Sequence, residues 1–342
     1  MVDVRGDSES VKPPVKIAVT FAGQGAQYPG MGKDLYDGSP AARTIFDAAG
    51  AELTEIIFNG TAEQLKDTRV TQPAVYTVDM AAWAAFTEAC SAAPDDGLGD
   101  DGPVIEIIGT AGFSLGEYAA LTAAGVIPSF ETGLELVRKR ALLMAEAGRH
   151  ADGSPRGAMA AVLGARADVI EVVAASQGDH VLEAVNFNSP AQTAIAGDAE
   201  GIAAFSKNAK ESGRKLRAIP LAVSSAFHSS IMEPAAAGIG EAASAISFGE
   251  PGYEVYLNLT GKPLSEYAGT VNEIMMQQVK SPVFWQETLE NLAEAGAQTV
   301  LELGPGKTLT GLAKKTIPDT RALQAEDIQG IRDALDAIRG II

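Results

Sequence analysis

One stretch constrains the fold of this chain more than any other. An apolar run at 104–108 leads toward Gly112-Phe113-Ser114-Leu115-Gly116, and an alanine- and leucine-rich segment follows at 118–124. The run reads as a strand and the segment as a helix. A serine between two glycines at such a junction has a mechanical meaning. The turn holds the serine in a strained backbone conformation, and the glycines let neighbouring segments approach where a Cβ would clash. Ser114 then projects from the sheet edge as a nucleophile, the rival reading being an ordinary strand-to-helix turn.

Composition sets the bounds around this unit. With 342 residues the chain exceeds the size at which one core stops growing, so one large domain with an insertion, or two domains, is expected. A hydrophobic content of 46%, 36 glycines and 6% aromatics fit an α/β protein rather than a disordered or fibrous one. The formal charge of -18 argues against nucleic acid and against an anionic membrane as partners. Cys90 is the single cysteine and cannot form an internal disulfide, which fits a reducing compartment. The first 14 residues lack an apolar core of signal-peptide length, and nowhere do eighteen apolar residues run together, so a cytoplasmic location is expected.

Taken in order, residues 1–14 read as a loose tail before a first strand at 15–21, which ends in the loop Ala22-Gly23-Gln24-Gly25-Ala26-Gln27. In an open α/β sheet, ligands sit beyond the carboxyl ends of the strands, so this loop is suspect. It contains neither Gly-Lys-Ser/Thr nor Gly-x-Gly-x-x-Gly, which excludes the usual nucleotide-cradling loops. Helical patterns cover 35–58, 72–90 and 130–147, the last placing Arg140 and Met144 on one face. An acidic, glycine-bearing loop is expected at 91–103 and a polar break at 149–156. Residues 158–221 then read strand, helix, strand, strand, helix, strand, the ferredoxin-like order. After it come a helix at 231–246, a strand at 255–259, helices at 271–280 and 283–295, a strand at 299–303 and closing helices. The expected organisation is an α/β-hydrolase-like catalytic subdomain with a parallel sheet, from 15–150 and 224–342. A ferredoxin-like subdomain at 151–223 is inserted into it.

A serine hydroxyl needs an adjacent base, most often histidine. His150 and His180 lie in polar, turn-like settings and read as surface residues, whereas His228 sits among small and apolar residues at the start of a helix. Ser114 and His228 are therefore the candidate nucleophile and base. No carboxylate has a persuasive setting as the third member, so a backbone or amide carbonyl could orient the imidazole instead. An oxyanion hole needs backbone N–H donors: Leu115 follows the nucleophile, and Gln24, flanked by glycines, is the candidate for the second.

Five segments in order are Phe21 through Gln27, Gly112 through Tyr118, Asn186-Phe187-Asn188-Ser189-Pro190, Ala226-Phe227-His228, and Glu302-Leu303-Gly304-Pro305-Gly306. Together they resemble the malonyl-CoA:acyl carrier protein transacylases of fatty acid synthesis, over about residues 15–316. The resemblance implies that Ser114 takes the acyl group as an ester, that His228 acts as base and then acid, and that the main-chain carbonyl of Gln278 orients the histidine. It implies that Arg140 binds the malonyl carboxylate, for which a planar guanidinium is suited. It also implies that Phe227, Asn188 and Met144 line the pocket, Phe227 filling the space a branching methyl would need. No metal and no cofactor are implied, malonyl-CoA being a substrate, and the partners would be acyl carrier protein and CoA, with the enzyme a monomer. A carrier-docking basic patch is expected, from Lys280, Lys314 and Lys315. One residue departs from the pattern: Phe113 precedes the nucleophile where many members carry histidine. A trans-acting polyketide acyltransferase, an acyl-CoA hydrolase and a docking module with a decayed site are the competing readings.

Overall fold

The computed structural model describes residues 13–91, 103–221, 223 and 225–340. Residues 1–12 of the expected tail, 92–102 of the expected acidic loop and Ser224 lie outside them. The site is carried by a five-stranded parallel sheet. Its strands are β1 (Val15–Phe21), β2 (Ile105–Gly112), β7 (Val255–Tyr256), β8 (Thr299–Leu303) and β9 (Arg321–Ala325), in the order β7-β2-β1-β8-β9. Helices cover the inner strands, so β8 is buried at every position and β1 at five consecutive ones. This is why both are mostly apolar without strict alternation, Lys16 and Thr20 in β1 and Thr299 and Glu302 in β8 being the polar exceptions.

Two boundaries move for steric reasons. β2 extends four residues past the apolar run, through Gly109 and Ala111, because small side chains are needed where β7 crosses: a Cβ on Gly109 would lie 2.8 Å from the Tyr256 ring. The helical stretch 35–58 is three helices, Lys33–Gly38, Pro40–Ala49 and Ala51–Asn59. Ser39 caps the second with its hydroxyl and Pro40 opens it, and Gly50, at φ 93, turns the chain into the third.

The second sheet joins β3 (Ala158–Leu163), β4 (Leu182–Ser189), β5 (Gln192–Gly197) and β6 (Arg217–Pro220) in the order β4-β5-β3-β6, all neighbours antiparallel. The helices Arg166–Ser176 and Ala199–Glu211 complete the β-α-β-β-α-β succession. Side-chain alternation sends Ala160 and Val162 toward these helices, into a core with Leu182, Ile195 and Phe205, and leaves Met159 facing the catalytic side.

The segment 278–284 joins the two sheets. Phe187 donates its N–H to Val283 O at 2.9 Å and Val283 returns one to Val185 O at 2.8 Å, pairing the segment with β4. Phe284 N–H meets Asn258 O, just beyond β7, at 2.9 Å. Nearby, the Arg166 guanidinium lies 3.7 Å over the Phe187 ring and pairs with Glu287.

Candidate active site

Ser114 sits at the carboxyl end of β2, where the chain turns into the helix Gly116–Ala123. Its φ is 53, and His228, at φ 63, is the other non-glycine residue with positive φ among the described residues. Such conformations cost about 1–3 kcal/mol each and persist where the surroundings over-determine them. The glycines explain how the elbow closes. A Cβ on Gly112 would stand 1.9 Å from Gly116 C, and one on Gly116 would stand 2.2 Å from Phe21 O.

Ser114 Oγ lies 2.7 Å from His228 Nε2, and His228 Nδ1 lies 2.9 Å from the main-chain oxygen of Gln278. A carbonyl oxygen only accepts, so Nδ1 carries the proton and Nε2 is left to accept from the serine hydroxyl. Burial, and then the Arg140 cation, push the His228 pKa down to about 4, against smaller opposing effects of the backbone at Gln278 and Ser281. The imidazole is therefore a neutral base at physiological pH.

Arg140 is buried to 1% exposure beside this pair. It donates to Gln72 Oε1 at 2.8 Å, to Gln278 Oε1 at 3.1 Å and to Ser114 Oγ at 3.1 Å, and its guanidinium stands 5.2 Å over the Tyr118 ring. Every one of these acceptors is neutral, and among the described residues no carboxylate forms an ion pair with it. Burial lowers its pKa. Gln278 is used a third time, since its Nε2 donates to Ser114 O at 2.6 Å.

Ser114, Arg140, His228, Gln24, Met144, Asn188 and Phe227 line one pocket. Leu115 and Gln278 are buried beneath it. Among the described residues neither the Gln24 nor the Leu115 backbone N–H meets an acceptor, so both remain available to an oxyanion. The Ser114 N–H does not, because Asn258 Oδ1 accepts it at 2.7 Å. Phe113 also lines the pocket and packs edge-on against Trp285, ring centroids 5.5 Å apart. Lys280 is engaged by Glu233 at 2.8 Å, which neutralises it as part of a basic patch, while Lys314 and Lys315 are exposed at the end of the helix Thr308–Thr316.

Sequence reasoning passed over Gln72, Asn258 and Glu117. Gln72 had a local signal, a polar residue in a helix immediately before the buried apolar positions Pro73, Ala74 and Val75. Asn258 and Glu117 had none, since their partners lie more than 140 residues away: Asn258 N–H donates to Glu117 Oε2 and Asn258 Nδ2 to Gly112 O.

Comparison with known proteins follows the same lines. The acyl transferase domain family matches residues 19–338. The malonyl-CoA:acyl carrier protein transacylase of Bacillus subtilis is 38% identical over 330 residues, 95% of this chain and 98% of the relative. The solved structure of the corresponding enzyme from Clostridium perfringens superposes with a TM-score of 0.85 at 33% identity, covering 96% of this chain and 98% of that one. A malonyl-transacylase solved in complex with its type II polyketide acyl carrier protein gives a TM-score of 0.84 at 33% identity, covering 94% and 99%. A family match across nearly the whole chain, with relatives above 30% identity over almost their full lengths, identifies the chain as a member of the acyl transferase family, among its malonyl-CoA:acyl carrier protein transacylases.

Proposed function

We propose that this protein transfers a malonyl group from malonyl-CoA, by way of a Ser114 ester, to the phosphopantetheine thiol of an acyl carrier protein. One observation carries the reading: a buried guanidinium with only neutral acceptors lies 3.1 Å from the candidate nucleophile. A buried cation without a counter-charge is costly, and an acyl group bearing a carboxylate would supply one. Arg140 grips that carboxylate in two-point fashion while the thioester carbonyl stands over Ser114.

Ser114 Oγ attacks the thioester carbon as His228 Nε2 takes its proton. The oxygen that becomes anionic is received by the backbone N–H groups of Gln24 and Leu115. Collapse breaks the carbon–sulfur bond, and the departing CoA sulfur takes the proton from His228. In the second half the carrier thiol gives its proton to His228, attacks the ester, and Ser114 leaves with that proton. The Gln278 carbonyl keeps the imidazole in the required tautomer throughout. Phe227, Asn188 and Met144 shape the pocket around the acyl chain. The reaction calls for no cofactor and no metal.

Action as a monomer belongs to this reading. A cytoplasmic setting, and a division into parts 15–150 with 224–342 and 151–223, belong to the same reading. The relative solved with a polyketide carrier supports a carrier protein as acceptor. Mass spectrometry after exposure to malonyl-CoA should find a malonyl adduct on Ser114, and its absence from folded wild-type protein would overturn the reading. Hydrolysis of malonyl-CoA outpacing transfer to carrier would replace the acceptor with water.

A further inference from the structure

We propose that Asn258 is a positioning residue for acyl transfer, a strut that holds the left-handed Ser114 backbone from both sides of Phe113. The inference rests on Ser114 being the nucleophile. Asn258 is fully buried and lies just past β7, outside the pocket lining. Its Oδ1 accepts the Ser114 N–H at 2.7 Å and its Nδ2 donates to Gly112 O at 2.7 Å. Those partners dictate the side chain: one can only donate and the other only accept, so an amide satisfies both and a carboxylate does not.

The strut is itself anchored at each end. The Asn258 N–H donates to the buried carboxyl of Glu117, on the first turn of the helix after the elbow, and Asn258 O accepts from Phe284 N–H. Every polar group of Asn258 is thus spent on the elbow or on what surrounds it. Gln278 Nε2 holds Ser114 O, so the serine is tethered on its N–H by Asn258 and on its carbonyl by Gln278. With both peptide groups fixed, Oγ is aimed at His228 and the next N–H, that of Leu115, stays free. A serine at φ 53 that lost one tether would relax toward ordinary backbone geometry and carry Oγ out of line.

The test is single-turnover formation of the Ser114 adduct at saturating malonyl-CoA, followed by rapid quench and mass spectrometry. In Asn258→Ala acylation should slow by roughly 10²-fold, as for a misplaced reacting atom, with the malonyl-CoA dissociation constant, measured by calorimetry in a Ser114→Ala background, unchanged. Asn258→Asp keeps the shape and carries the test if the alanine variant does not fold. Its carboxylate still accepts from Ser114 N–H but offers Gly112 O a donor only when protonated. Acylation by this variant should therefore be slow at alkaline pH and recover as pH falls, by a larger factor than in the wild type, where the titrating neighbour of Asn258 is Glu117, whose carboxyl burial pushes up to about 8. Wild-type acylation rates in either folded variant, an Asn258→Asp rate depressed equally at every pH, or a loss confined to binding would overturn the proposal. No adduct in the wild type would overturn it together with the activity itself.

Discussion

Arg140 defines the chemistry by what it lacks. A guanidinium 1% exposed has two amide oxygens and a hydroxyl as acceptors and no anionic one, and on the proposed function the malonyl carboxylate supplies it. Truncating one side of a buried charge pair costs about 2–5 kcal/mol. Arg140→Ala should therefore lower kcat/KM for malonyl-CoA roughly 30- to 5,000-fold, while transfer of an uncharged acyl group such as acetyl falls far less; parallel assays with the two thioesters check it. The same cation acts on the base. Burial and Arg140 hold His228 near pKa 4, so the protein loses its neutral base only as pH falls through that value, and kcat/KM should stay level from neutrality down to about pH 5. A substrate carboxylate on Arg140 cancels part of the cation's field and lets the imidazole pKa rise. The acid limb of kcat, which reports the complex, should then lie at higher pH than that of kcat/KM. Coincident limbs would show that Arg140 and the bound carboxylate do not communicate with His228.

The elements meet at glycines and buried carboxyls. Gly116 lets the helix after the elbow press against the end of β1, and Gly116→Ala would put a methyl 2.2 Å from Phe21 O. Overpacking of this kind costs about 1–3 kcal/mol, and chemical denaturation should register a loss of at least that size. Behind the loop after β1, Asp79 is fully buried in the helix Thr68–Ser91, and Gly304, at φ 109, is cut away to make room for it. Burial, and then Glu302, push the Asp79 pKa well above its usual value, the Ala22 N–H offsetting only part. A carboxyl with a raised folded pKa favours folding fully below its unfolded pKa and loses that advantage as pH rises. Asp79→Asn should therefore be more stable than wild type at alkaline pH, with the gap closing toward pH 4; denaturation curves across pH check it. Such features also explain what the sequence made legible. β3 could be read to the residue because it is an uninterrupted apolar run, and β8 because Val300, Leu301 and Leu303 end at the Gly304-Pro305-Gly306 turn. β9 could not, being a sheet-edge strand with exposed Arg321 at one end and polar Gln324 inside it. Ser114 and His228 announce themselves through local chemistry, whereas Asn258 becomes meaningful only when folding brings it to Gly112.

At the scale of the whole molecule, charge and connectivity dominate. The chain carries -18, and Lys280 is already neutralised by Glu233. Encounter with a carrier protein of the same charge sign should then be opposed over distances comparable to the Debye length, which is about 10 Å at 0.1 M salt. The second-order rate constant for malonyl delivery to the carrier should rise as salt is added, whereas an attractive docking patch would make it fall; stopped-flow measurements across ionic strength decide between them. Connectivity has a different consequence. Residues 278–284 supply the carbonyl behind His228, the amide beside Arg140, the tether on Ser114, the pairing with β4 and the bond to Asn258. The two sheets are thus interlocked through one short piece of main chain. On the proposed mechanism, prying them apart would disturb base, arginine and nucleophile together. Anyone grafting the four-stranded sheet of a relative onto this scaffold to change its acyl preference would have to carry that piece across with it.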